Sequence, residues 1–536
     1  MLYLGIYPED YTIDKNDLTR QWVAEGFICK DRGIDPEDIA KSYFIELINR
    51  SMIQPVDTDY NGDIKSCRVH DMMLDLILHK SREENFITVM DDMQDMTGHQ
   101  DKIHRISLNL DDATNDTAAR SVQLSQVRTL ARFGTSSQLL SFKLFKHLRV
   151  LGIEISGRPK SYPSLLDLTG ICYLFQLRFL KIVTKGYQAV LPSKIGGLQQ
   201  LETFDLACTQ LNSYKGTQFP KLPSDIFNLD RLLHLAVPSG VILPDGIGNM
   251  KSLRTLGQFD LGNSLDSIKG LRELTNLTNL EINYDYSKSG DETAARCREV
   301  MHTLENLCNL KQLHINSYND LVRSCLDVWR SVPAYFFHLQ SFHAKYQSWF
   351  SRVPKWIGQL HSLYDLKLSV REVLEDDVGT LSQLPSLIHL VLHIRGAPEN
   401  KIIIPGGSGL FPVLKHFKVL CRRISYLTFE AGAMPKLESL ELDFNAKGWD
   451  RYGAAPAGIE HLTGLKEISA GIGGGLGAKE SNRRAAESAM RDTADMHPRR
   501  PVANINVHGE WMMFDEPEEE EEEEGNGESS SSSSST

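Results

Sequence analysis

Apolar residues recur along most of this chain in a unit of three: two with two residues between them, and a third two positions further on. The unit reads Ile103/Ile106/Leu108, Leu148/Leu151/Ile153, Leu177/Leu180/Ile182, Leu201/Phe204/Leu206 and Leu232/Leu235/Val237. It continues as Leu253/Leu256, Leu277/Leu280/Ile282, Leu310/Leu313/Ile315, Leu363/Leu366/Leu368, Leu387/Leu390/Leu392 and Leu414/Phe417/Val419, and closes at Leu437/Leu440/Leu442. The steps 177 to 201, 253 to 277, 339 to 363 and 363 to 387 are each 24 residues. Chance does not repeat such a spacing a dozen times. A short strand in each unit, stacked on the next, accounts for it.

Periods of about 20–29 residues with this spacing are leucine-rich repeats. Leu191-Pro192-Ser193-Lys194-Ile195-Gly196, Leu222-Pro223-Ser224-Asp225-Ile226, Leu243-Pro244-Asp245-Gly246-Ile247 and Val353-Pro354-Lys355-Trp356-Ile357 each precede the next unit. Proline ends the outgoing strand there and the chain turns back along the convex side. The step from 277 to 310 implies an insertion. Side chains alternate along a strand, so the residue between the second and third apolar positions faces the concave side. That column reads Gly152, Lys181, Asp205, Ala236, Gly257, Glu281, His314, His343, Lys367, Val391, Lys418 and Glu441, with Lys311, His389, Lys415 and His416 beside it. From Lys311 to Lys418 the face is expected to be cationic or imidazole-bearing, gaining charge as pH falls toward six, and to dock an acidic surface. Partner-binding residues are therefore Lys311, His314, His343, Lys367, His389, Lys415, His416 and Lys418. An ordinary solvated face is the competing reading.

The first hundred residues follow a different rhythm. Asp14 can cap a helix that carries Leu18, Trp22 and Val23 and stops at Gly26. Asp35-Pro36 opens a second, with Ile39, Tyr43, Leu47 and Ile48 on its apolar side. Asn61-Gly62, between Met52–Val56 and Ile64–Val69, predicts a hairpin. A third helix follows His70, with Met73, Leu76 and Ile77 inward. Helices followed by a hairpin describe a winged-helix module. Its first helix carries Asp14, Lys15, Asp17, Arg20 and Glu25, too mixed to neutralise phosphates, so direct nucleic-acid binding is not expected.

The net charge of −12 changes little. Ten acidic charges sit in Asp515, Glu516, Glu518 to Glu524 and Glu528, and the balance without them is −2. That end, followed by Ser529 to Ser535, cannot bury a core; it is expected to be disordered and to compete for the basic face. The eight cysteines are scattered without metal or disulfide spacing. No HExxH or nucleophile elbow occurs, so no enzyme is expected, and no metal site. Gly473-Gly474-Gly475-Leu476-Gly477-Ala478 matches G-x-G-x-x-A but lacks a βαβ context. No apolar run approaches the ~20 residues of a membrane span, and the N-terminus lacks the basic n-region of a signal peptide. Cytosol or nucleus is the expected location.

Tyr3-Leu4-Gly5-Ile6-Tyr7-Pro8-Glu9-Asp10-Tyr11 and Gln21-Trp22-Val23-Ala24-Glu25-Gly26-Phe27-Ile28 resemble the winged-helix segment of plant nucleotide-binding leucine-rich-repeat disease-resistance proteins of the coiled-coil class. Val69-His70-Asp71 stands where that family has Met-His-Asp, with valine for methionine. The resemblance implies that His70 contacts the β-phosphate of ADP and Asp71 supports it; opening the next helix is the structural alternative. It further implies a role in innate defence, with the repeats recognising a pathogen effector or guarded host protein and other receptors of the family as further partners. No GxxxxGK[ST] phosphate loop is present in this sequence, so no cofactor is expected here, although the full-length family holds ADP or ATP. The family's coiled-coil, nucleotide-binding and helical segments lie upstream of the winged helix, so this chain is expected to be N-terminally truncated. A nucleotide switch in a longer gene product and a ubiquitin-ligase substrate adaptor are the alternatives. The expected architecture is α/β: a winged helix over 1–95, a horseshoe solenoid over 100–472, a cap with a short helix over 473–514, and a disordered tail over 515–536.

Overall fold

The computed structural model describes all residues except 30–32, 91–102, 111–123, 158–163, 210–221, 239, 242, 285–289, 318–335, 347–349, 397–400, 474–477 and 508–536. The acidic and serine-rich tail and most of the Gly473–Ala478 motif thus lie outside the described residues.

Helix α1, Lys15–Glu25, starts where Asp14 accepts hydrogen bonds from the amides of Asn16 and Asp17, and ends at Gly26 with φ +90°. Helix α2, Pro36–Asn49, is capped by Asp35 with proline in its first turn. Its fully buried face is Ala40 and Phe44; Tyr43, expected inward, is exposed. Helix α3, Asp71–Glu83, buries Leu74, Ile77 and Ser81, whereas Leu76 is exposed. The strand run that precedes α3 sets its rotation, and a one-residue shift of the apolar stripe satisfies the same helical spacing. The wing is Gln54–Thr58 paired antiparallel with Ile64–Arg68, whose other edge takes the short strand Ile13–Asp14.

The repeats build one parallel sheet. Its strands run in chain order from Thr88–Met90 through Arg105–Leu110, Thr129–Gly134 and Val150–Ile155 to Glu467–Gly473 and Val502–Val507. The sheet therefore begins before residue 100. It also extends beyond residue 472: the expected short helix is Glu480–Met496, and the strand after it pairs with Glu467–Gly473. The 277 to 310 insertion holds the helix Gly290–Leu304.

The apolar triplets fill the space behind the strands. Leu148, Leu177, Leu201, Leu232, Leu253, Leu277, Leu310, Leu363 and Leu414 are all fully buried, so the register read from the sequence is the register of the fold. Just before each strand the backbone amide donates to the preceding repeat: Glu202 to Arg178 at 2.8 Å, Arg254 to Leu233 at 2.7 Å, Lys311 to Thr278 at 2.8 Å. The convex side is made largely of 3-10 turns, such as Ser224–Asn228 after Pro223 and Lys355–Gln359 after Pro354. There the Asp225 carboxylate accepts from the amides of Ile195 and Gly196, stitching one repeat to the next. A β-carbon at Gly196 would come within 2.9 Å of the Asp225 carbonyl oxygen, which explains glycine at that turn.

Candidate protein-recognition face

Two columns of side chains cross the concave side of the sheet in strict register. One runs Glu281, His314, His343, Lys367, Val391, Lys418, Glu441; the other runs Gln312, Ser341, Asp365, His389, His416, Ser439. Six residues singled out from the sequence, His314, His343, Lys367, His389, His416 and Lys418, stand in these columns. Lys311 and Lys415 sit one residue before their strands.

Their chemistry differs from an open basic patch. Asp365 lies between two imidazoles, accepting from His343 Nε2 at 2.6 Å and from His389 Nδ1 at 2.7 Å. Burial alone would raise the Asp365 carboxyl, but these two donors hold it far below the usual carboxylate range. Burial lowers the pKa of His389 in spite of Asp365, and lowers His416 as well. Both shifts work against the gain of charge that the sequence suggests for these two histidines as pH falls. The rings of His314 and His343 stack at 4.1 Å. Lys418 is neutralised by Glu441 and, at 2.7 Å, by Asp443. Lys415 lies 4.0 Å from Glu438. Register would have paired Lys418 with Glu441; Asp443, two residues on, was the less visible partner.

The winged helix is seated inside the horseshoe. Its inner end is a tight joint: the buried Glu25 carboxylate accepts from Arg105 at 3.1 and 3.2 Å and from Thr129. The Arg105 guanidinium stacks on the rings of Phe86 at 4.1 Å and Phe27 at 5.1 Å. Ser107 donates to the Ile6 carbonyl at 2.7 Å, and the Tyr11 hydroxyl to Glu154 at 2.6 Å. Ala131 and Phe133 of the solenoid join the apolar core of the winged helix. Further along, Lys181 pairs with Asp17, His234 with Glu37 at 2.7 Å, and Arg254 with Asp35. Burial would raise Glu37, yet the hydrogen bond and charge of His234 hold it at about 2. Beyond these contacts the modules separate around a cleft of about 1020 Å³, lined from both sides by charged and polar groups such as Lys15, Lys41, Asp63, Asn279 and Lys311.

At the far rim the wing touches the sheet again. The Tyr60 ring stacks on His389 at 3.5 Å and 14°, 5.3 Å from His416, with the Lys367 ammonium 5.6 Å from its centre. The Tyr364 hydroxyl donates to Asp59 at 2.9 Å. Sequence reasoning did not assign Asp59, Tyr60, Tyr364 or Asp365 to the site; an aromatic residue at an Asn-Gly hairpin tip was the available signal.

His70 occupies the N-cap position of α3 but makes no side-chain capping bond, and it is exposed with Asp71. The two do open the helix, and they stand apart from the concave columns. Among the described residues there is no group of His, Cys, Asp or Glu arranged to hold a metal ion. No helix among them is long and apolar enough to cross a membrane.

Fold and register together define a leucine-rich-repeat protein, and residues 126–503 match the family model for the leucine-rich repeat region. Residues 6–77 match the winged-helix domain of disease resistance proteins. The chain belongs to the plant disease-resistance family, combining a winged-helix module with leucine-rich repeats and related to nucleotide-binding members. It is 39% identical to disease resistance protein RGA5 of Oryza sativa subsp. japonica over 521 residues, 97% of this chain and 45% of that protein. To disease resistance protein Pik-2 of the same plant it is 29% identical, covering 89% of this chain and 50% of that one. Disease resistance protein RGA4, also from rice, is 27% identical over 522 residues. The chain thus spans about half the length of the curated relatives it matches.

Proposed function

We propose that this chain recognises a protein ligand, a pathogen effector or a guarded host protein, through the concave columns of its repeats, and that the winged helix is the module whose position reports occupancy. The observation that carries the reading is the juxtaposition at the far rim. The side chains best placed to meet a partner, Lys367, His389 and His416, are engaged by the wing. A ligand on that face must therefore negotiate with the module that resembles the family's switch. Such exchange suits a boundary that is firmly packed at one end and opens into a charged cleft before its far contact, since regions with few buried apolar contacts open at low cost. The role follows the family's defence function, and the repeats supply recognition rather than catalysis.

The test is a yeast two-hybrid screen of secreted effectors from a rice pathogen against the full chain, followed by charge reversal at Lys367 and Lys418. A hit lost on reversal, with association that slows as salt rises, supports the concave face. Hits that ignore both substitutions at every salt concentration overturn it.

A further inference from the structure

The wing tip is built to be held in one shape and is held against one small place. Gly62, with φ +85°, closes the turn, and its amide donates to the Asp59 carbonyl at 2.8 Å. The Asn61 side chain accepts from the Asp63 amide at 2.9 Å, and Asp59 Oδ1 accepts from its neighbour's amide at 2.8 Å. Thus the tip presents a phenol ring beside a carboxylate without spending further freedom on docking. Opposite it the solenoid offers a matched set. Tyr364 donates to the carboxylate, His389 supplies a flat face for the ring, His416 closes one edge, and Lys367 brings positive charge over it. Asp365 fixes the receiving face by accepting from His389 Nδ1 at 2.7 Å, while its other oxygen holds His343. The aligned strands place these groups one repeat apart, Lys367 opposite Val391 and His389 opposite His416. None of the wing-tip residues belongs to the apolar core that joins the modules at the inner end.

We propose that the tip Asp59-Tyr60 is a tethered stand-in for the partner: the subsite of Tyr364, Lys367, His389 and His416 takes an aromatic ring with a carboxylate beside it, and a protein partner presenting such a turn displaces the wing. This rests on the reading of the concave face as the recognition surface. A protein loop is the occupant rather than a small aromatic acid because the subsite is a shallow stretch of sheet. The wing meets it with a pre-formed turn, and stacking and cation–π contacts need only one face of the ring. Charge complementarity agrees: of the solenoid carboxylates that act on Tyr60, Asp365 is already bound by two imidazoles and Glu441 by Lys418. A carboxylate beside the incoming ring then meets the Tyr364 hydroxyl, as Asp59 does, while Lys367 stands over the ring. A tethered ligand sees an effective concentration on the order of millimolar, so an outside partner wins by adding contacts elsewhere on the columns.

The experiment uses the full chain carrying D59A and Y60A, which vacates the subsite through two residues of an exposed turn, and a fluorescent cyclised peptide of residues 54–68 as probe. Anisotropy should report saturable binding to the vacated chain and at least tenfold weaker binding to the parent, whose own wing competes. Adding K367E or Tyr364→Phe to the vacated chain should weaken the peptide severalfold, and the peptide lacking the tyrosine ring should not bind. Equal affinity for parent and vacated chains, insensitivity to both added substitutions, or no binding to a vacated chain that melts like the parent would each overturn the proposal. Displacement of the peptide by micromolar phenylacetate would also overturn it, by making the occupant a small acid. If the peptide fails while effector association still depends on Lys367 and Lys418, this inference falls and the recognition reading stands. Binding of the peptide without any effector dependence on those lysines gives the reverse result.

Discussion

Removing the Glu25 carboxylate is the sharpest way to ask what fastens the winged helix to the repeats. Glu25 ends α1 fully buried, and Arg105, on the second strand of the sheet, is almost as enclosed. Two hydrogen bonds at 3.1 and 3.2 Å join them, Thr129 adds a third, and the Arg149 guanidinium holds the Glu25 carbonyl at 2.7 Å. Glu25→Leu leaves the Arg105 guanidinium desolvated between two phenyl rings without its counter-charge. Breaking a buried pair from one side costs about 3–5 kcal/mol. Arg105→Met strands the carboxylate and should cost a similar amount. Replacing both with apolar groups is often neutral, so the double variant should lose far less than the sum of the two single losses. Amide hydrogen exchange across Lys15–Glu25 reads the effect directly. A loss of 3 kcal/mol is roughly a hundredfold fall in protection, while the strands from Asp365 to Ile394 should exchange as before, because repeats feel mainly their neighbours. If the single variants keep parental protection, or the double variant merely adds the two losses, the joint is not held by this pair.

Leu280→Asp or Leu366→Asp places an unpaired carboxylate among fully enclosed leucines and should cost several kcal/mol, spreading to adjacent repeats; a parental melting curve for either would contradict the register. Burial, with Arg395 adding to it, lowers His393 to about 4. Its unfolded value is near 6.5, so the unfolded chain takes up the proton first, and stability should fall by up to about 3 kcal/mol between pH 6.5 and 4. Urea midpoints across that window should flatten in His393→Gln, and an unchanged slope would refute the assignment. The chain should form no micromolar complex with ADP, because His70 stands exposed without a phosphate loop. Calorimetry showing such a complex, abolished by His70→Ala, would refute this.

The repeats were legible because each unit writes its buried positions into the sequence at fixed spacing, so Leu280, Leu313 and Leu366 identify themselves. The caps of α1 and α2 were legible for a similar reason: Asp14 and Asp35-Pro36 act within three residues. What could not be read was which surfaces meet. Tyr60 and His389 are in contact across more than three hundred residues of chain, and no local pattern encodes that. The ion pairs made by the concave cations are hidden for the same reason. Asp365 looks like a single acid among many cations along the sequence, yet the fold places it between His343 and His389, where it accepts a hydrogen bond from each.

The aligned columns carry a consequence for how such a chain can change. Equivalent side chains on neighbouring strands lie about 4.8 Å apart, like teeth on a rule, and each tooth is encoded by a single codon roughly one repeat from the next. The leucines behind the sheet hold the scaffold, so exposed outward positions can be rewritten one at a time with little penalty, whereas the buried set of His343, Asp365 and His389 has to change together. Exchanging a whole repeat between related chains would then move an intact segment of the rule, shifting what it measures while its gauge stays the same.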